Sequence, residues 1–188
     1  MKESKDAEKK GLDEHGIIFL SGPVDGGSAE TLCKEIIQYN LEGKVERIQL
    51  IVNSPGGSCA DGFAVIDLME WSKIPVYTIG VGMVASMGLL ILMAGQKGRR
   101  VVTPNTSLLS HRFSGFSFGN HSQLLASRKI EDQLHERIIT HYLSHSRVRD
   151  RETLEKTLLG DVDYWMSPQE ALDFGLIDIV EPLQKQAA

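Results

Sequence analysis

The sequence predicts an α/β domain in which strands repeatedly lead into helices. Three observations carry this: apolar runs of strand length alternate with stretches of helical periodicity, clusters of Gly, Pro, Ser and Asn punctuate the alternation, and 188 residues suit one core rather than two. Residues 16–20 read as a buried strand. Ser28 then opens a helix, since Ala29, Leu32, Cys33, Ile36 and Ile37 recur on one face. Residues 48–52 form a second strand, followed by the Gly-rich turn Asn53-Ser54-Pro55-Gly56-Gly57-Ser58 and a helix marked by Phe63, Ile66 and Met69 that ends near Trp71. A third unit pairs a strand at 76–79 with an apolar helix at 85–93, and short strands are expected at 99–102 and 106–109. Residues 112–120 are rich in Ser, Gly and Phe and lead into a long helix at about 122–144, which together look like an arm. A helix at 151–159 follows. Ser167-Pro168-Gln169-Glu170 is a capping box with Pro at the first helical position, that helix ends at Gly175, and a strand at 177–180 closes the domain.

The flanks are simpler. Residues 1–15 alternate acidic and basic side chains without an apolar stretch and read as a mobile tail with no secretory or transit signal, and residues 183–188 read as a C-terminal tail. Between Lys73 and Lys97 no charged residue occurs, a run long enough to imitate a membrane span, but Pro75, Gly80, Gly82, Ser86 and Gly88 interrupt it, so a strand followed by a helix is expected and no membrane association. A net charge of −5 gives no electrostatic footprint for nucleic acid, and the basic cluster Lys97-Gly98-Arg99-Arg100 reads as a solvated loop. Cys33 and Cys59 sit in apolar patterns, as buried free thiols of a reducing, cytoplasmic compartment.

Chemistry concentrates at Ser86, where a strand passes into an apolar helix. A hydroxyl there either caps the helix or faces a substrate. As a nucleophile it would need a base, a group to hold that base, and backbone N–H donors for an oxyanion. The stretch Val84-Ala85-Ser86-Met87-Gly88 lacks the first glycine of the G-x-S-x-G elbow of α/β-hydrolases. Gly80-Val81-Gly82-Met83-Val84-Ala85 matches a dinucleotide fingerprint, but no Asp or Glu occurs between Glu70 and Glu131 to hold a ribose. That gap also restricts any carboxylate orienting a base to positions before Ser72 or after Lys129. Of six histidines only His111 stands at a strand end; His121, His135, His141 and His145 lie along the long helix and read as a solvated face. His135-Glu136 is not followed by a second histidine at the H-E-x-x-H spacing, so no metal is expected, and no phosphate-binding run implies a cofactor.

Four segments, in this order, resemble the proteolytic subunit of the Clp protease: Asn53-Ser54-Pro55-Gly56-Gly57-Ser58; Ala85-Ser86-Met87-Gly88; His111; and Asp163-Tyr164-Trp165-Met166-Ser167 with Glu170-Ala171 and Gly175-Leu176-Ile177-Asp178. The resemblance covers about residues 16–180 and implies a peptidase domain at 16–182. It implies a crotonase-like spiral of stacked ββα units with a protruding handle at about 112–146, with Ser86 as nucleophile, His111 as general base and Asp163 as the acid that orients it. The N–H groups of Gly57 and Met87 would form the oxyanion hole. It further implies an extended polypeptide substrate, heptameric rings stacked in pairs as a tetradecamer, and an AAA+ unfoldase partner that alone uses ATP. Departures from the family pattern are Met83-Val84 for Gln-Ala, His111-Arg112-Phe113 for His-Gln-Pro, and Val162 for the Arg that pairs with an acid across the ring interface. Without that Arg, Asp161 is expected to lose its partner. Two other readings remain open on the residues: a non-catalytic ring subunit, and an acyl-CoA-handling enzyme whose Gly57 and Met87 stabilise an enolate.

Overall fold

A computed structural model describes residues 11–115 and 117–182. The tails expected at the termini therefore lie largely outside the described residues; of the first, residues 11–14 are helical.

The predicted alternation is present. β1 (Ile17–Ser21), β2 (Ile48–Ser54), β3 (Val76–Ala85), β4 (Arg100–Val102) and β7 (Ile179–Val180) run parallel in that order across one sheet, and β5 (Ser107–Ser110) pairs in parallel with the far end of β3. Among the described strands only β6 (Tyr164–Met166), which pairs with β5, is antiparallel. The fold is thus α/β, a spiral of strand and helix units carrying one projecting helix. In chain order the helices are α1 (Gly26–Glu42), α2 (Cys59–Trp71), α3 (Met87–Met93), α4 (His121–His145), α5 (Arg151–Lys156) and α6 (Pro168–Asp173).

Several boundaries differ from expectation for definite reasons. Asp25, not Ser28, caps α1: its side chain accepts from the N–H groups of Gly27 and Ser28, while Ser28 returns a bond as the third residue of a capping box. β3 continues six residues past Ile79, through the glycines that suggested a turn. Gly82, at φ 64, absorbs a register shift against β2, between the Val52 and Ser54 pairings, and its place is set by Asn53, whose Oδ1 accepts from the Met83 N–H. That excludes the phosphate loop the fingerprint suggested. The uncharged run 74–95 is β3 and α3, and every residue of α3 is buried, which is why its pattern is apolar all round. Arg100 is not in a solvated loop. It is 4% exposed, and its guanidinium grips the Asp178 carboxylate through Nε at 2.8 Å and Nη2 at 2.6 Å while also donating to the carbonyls of His145 and Gly175. No described helix is long and apolar enough to cross a membrane.

Only the C-terminal half of α4 is packed. Ile138, Ile139, His141 and Tyr142 are buried, whereas Leu124, Leu125 and Ile130 lie exposed on the half that projects as the handle. His141, expected on a solvated face, is instead buried against α3 and hydrogen-bonds the Leu90 carbonyl through Nε2 at 2.9 Å. Burial pushes its pKa down to about 3, helped by the neighbouring His145 and Arg100. Below its ordinary value the unfolded chain takes up a proton here that the folded chain refuses until about pH 3, so stability is complete above pH ~6.5 and declines as pH falls through that window. His141→Gln, which keeps a donor for Leu90, is expected to shrink the loss of unfolding free energy between about pH 7.5 and about pH 5 by ~2 kcal/mol, read from urea titrations.

Candidate active site

Two pairings of β5 build the site. On one side, parallel register sets Leu109 opposite Ala85, and the Ser86 N–H donates to the Leu109 carbonyl at 2.9 Å. On the other, antiparallel register sets Ser110 opposite Tyr164. The next residue of each strand is then, in turn, Ser86, His111 and Asp163. Residues far apart in sequence thus meet because one strand end carries His111 between two neighbours.

With its side chain Ser86 does not cap the helix that follows it. Its backbone has φ 53 and ψ −123, the one positive φ outside glycine among the described residues, and its side chain makes no capping bond to α3. Such a conformation costs about 1–3 kcal/mol and persists only where the surroundings hold it. Here the N–H is bound to Leu109, and the carbonyl accepts from Leu89 and Leu90. The hydroxyl, freed from capping, lies 2.8 Å from His111 Nε2. With the ring proton on Nδ1, Ser86 Oγ donates to Nε2. That nitrogen then has the geometry to take the proton as the oxygen attacks a carbonyl carbon. Asp163 Oδ1 is 3.7 Å from His111 Nδ1, on the correct side of the ring but beyond hydrogen-bond length, and its side chain is 60% exposed against 25% for His111.

The Gly-rich turn lies directly beneath the serine. A Cβ on Gly56, at φ 90, would come within 2.7 Å of the Ala85 carbonyl oxygen and of Ser86 Cβ. Gly57, at φ 151, would drive a Cβ to 2.2 Å from the Val24 carbonyl oxygen, so only glycines allow this turn to approach the nucleophile segment. Buried Ser54 holds the turn by accepting from the Gly56 N–H at 3.1 Å. Bonds from Val24 to Gly56 and from Ser58 to Val24 anchor either side of Gly57. Among the described residues the N–H groups of Gly57 and Met87 have no hydrogen-bond acceptor. Two such donors near an attacking oxygen are what a developing oxyanion requires.

All five residues singled out from the sequence are therefore in one place. Sequence reasoning missed Ser54, Ser110 and Arg112, which hold the segments that carry them. Cys33 and Cys59, the latter beside the turn, are free thiols as expected but half-buried rather than buried, and desolvation raises the pKa of each.

A mostly parallel α/β sheet that brings a serine hydroxyl to 2.8 Å from an imidazole, with a carboxylate 3.7 Å from the same ring, has the arrangement of a serine hydrolase type of centre. Comparison with known proteins narrows this. The family model described as Clp protease matches residues 2–183. The chain is also 37% identical over 166 residues to the ATP-dependent Clp protease proteolytic subunit of Deinococcus radiodurans, covering 87% of this chain and 79% of that protein. The chain belongs to the Clp protease family, a family of serine endopeptidases.

Proposed function

We propose that this chain is the proteolytic subunit of an oligomeric serine endopeptidase that cleaves extended polypeptides. The observation that carries the reading is the Ser86 hydroxyl, turned away from capping by a strained backbone and hydrogen-bonded to His111 at 2.8 Å. In this reading Ser86 Oγ attacks the scissile carbonyl carbon while His111 Nε2 accepts its proton. The carbonyl oxygen, now negative, takes bonds from the N–H groups of Gly57 and Met87. His111 then protonates the leaving amine as the C–N bond breaks; water, deprotonated by His111, attacks the acyl carbon, and His111 returns that proton to Ser86 Oγ as the ester bond breaks and the acid is released. Asp163 keeps the ring proton on Nδ1 and stabilises the imidazolium; an approach of under an ångström brings it to hydrogen-bond length.

Assembly follows the family: heptameric rings stacked in pairs, with the exposed apolar residues of α4 as contact surface, an AAA+ ATPase as the partner that unfolds substrate, and a cytoplasmic location. No cofactor or metal takes part in these steps. A fluorophosphonate probe together with a fluorogenic short peptide tests the activity. Adduct on Ser86 with peptide release is expected, and coenzyme A binding without an adduct would replace this reading with acyl-CoA chemistry.

Asp163 and Asp161 are close enough in sequence to be confused as the orienting acid, and the β5–β6 register favours Asp163. Asp163→Asn is expected to lower kcat about a hundredfold or more. Asp161→Asn should leave it within about threefold, since the amide keeps an oxygen that can accept from Arg112 Nη1 and the Leu159 carbonyl still holds Arg112 Nε. The reverse order in peptide hydrolysis would place the acid wrongly.

A further inference from the structure

His111 is flanked by two residues that both reach across to the segment leading to Asp163. Ser110 Oγ, itself bonded to the Tyr142 hydroxyl at 2.6 Å, donates to the Leu158 carbonyl at 2.6 Å. Arg112 Nε donates to the Leu159 carbonyl at 2.7 Å, and its Nη1 donates to Asp161 Oδ1 at 2.9 Å. Leu158 and Leu159 are buried, but the chain then leaves the core: Val162 is 80% exposed and the Asp161 side chain 88%. Among the described residues, Arg112 is the side chain from outside the segment that hydrogen-bonds into residues 160–163 before β6 begins at Tyr164, while His111 stands 3.7 Å from Asp163. Asp161 therefore does not lack a cation, as the absence of Arg at position 162 led one to expect. The cation comes from its own subunit.

We propose that Arg112 is a positioning residue, which registers Asp163 against His111 from inside one subunit by clamping the Leu159 carbonyl and Asp161. The proposal rests on the peptidase reading for its kinetic effect, and on the hydrogen bonds alone for its structural one. Because Asp163 stands 3.7 Å from Nδ1, a small drift of the 160–163 segment decides whether the ring is oriented at all. The Arg112 side chain bonds to Leu159 and Asp161 and to none of Ser86, His111 or Asp163, so it acts on the centre through the segment that carries Asp163.

Steady-state hydrolysis of a fluorogenic peptide by the assembled protein tests this in four variants. Arg112→Ala is expected to lower kcat about tenfold with KM unchanged within about twofold. Arg112→Lys, which keeps a donor, should recover most of that loss. Added to Asp163→Asn, Arg112→Ala should cost nothing further, because the carboxylate it positions is already gone. An equal loss in the Asp163→Asn background, an effect on KM alone, or unchanged kcat would overturn the proposal, as would a loss explained wholly by dissociation in native mass spectrometry. Amide exchange of residues 159–163 separates this from the peptidase reading, because it should accelerate in Arg112→Ala even if the wild type hydrolyses nothing. Unchanged exchange there would also overturn the clamp.

Discussion

Ser86→Ala is expected to bring peptide hydrolysis down to background while leaving the fold and the oligomer intact. The substitution removes one oxygen, the atom 2.8 Å from His111 Nε2, and among the described residues no other hydroxyl or thiol is hydrogen-bonded to that ring. Members of a triad act as a unit, and removing the nucleophile from such a unit costs roughly a millionfold in kcat. Retention of more than a few per cent of the rate would remove Ser86 from the chemistry. The same residue offers an independent check, because its backbone sits at φ 53, where alanine is as strained as serine but glycine is not. Ser86→Gly should therefore be as inactive as Ser86→Ala yet more stable than it by about 1 kcal/mol, the direction expected when an active site stores strain. Equal melting of the two variants would show that the conformation is not strained.

Asp178→Ala is expected to produce the largest loss of stability. Arg100 is almost wholly enclosed and donates to both carboxylate oxygens of Asp178, of which Oδ2 also accepts from the backbone N–H groups of Gly98 and Arg100. Burial alone would raise the Asp178 pKa, but the bonds from Arg100 outweigh it and hold the carboxyl below its usual range. Removing the carboxylate leaves a buried guanidinium uncompensated, a cost of about 3–5 kcal/mol in urea unfolding at neutral pH. Replacing both partners, Arg100→Met with Asp178→Leu, should recover part of the loss, though not all, since the carbonyls of His145 and Gly175 lose their donor. A single variant within about 1 kcal/mol of wild type would mean that solvent reaches Arg100.

Much of this is legible in the chain. Helix α2 is bounded by Ser58 and Trp71 as its apolar spacing indicates, and α6 begins at the Ser167 capping box with Pro168 in its first turn. The site residues are legible through motifs rather than through periodicity, since no local pattern says that residues 86, 111 and 163 meet. What stays hidden is long-range. β6 is three residues, Tyr-Trp-Met, too short to show alternation, and it exists as a strand because β5 offers it an edge. β3 reads as a shorter strand in the sequence because Gly80 and Gly82 look like turn residues when the flanking strands are unknown. Arg100 resembles a solvated cation for the same reason: its partner lies 78 residues on. Arg112 and Asp161 are likewise brought together only by the closed fold.

The order in which the strand ends arrive has a consequence for a chain that is still being synthesised. The Gly-rich turn, the serine and the imidazole are all made before α4, and β3 with β5 can bring them together at once. The carboxylate comes only after α4 and α5 have emerged, and it reaches His111 only when β6 has added to β5. The closure that completes the centre is thus among the most non-local in the molecule, and such contacts form late. In the proposed reading, a nascent chain on the ribosome carries its attacking group without the means to orient the base, so competence for cleavage is withheld until synthesis has passed Met166.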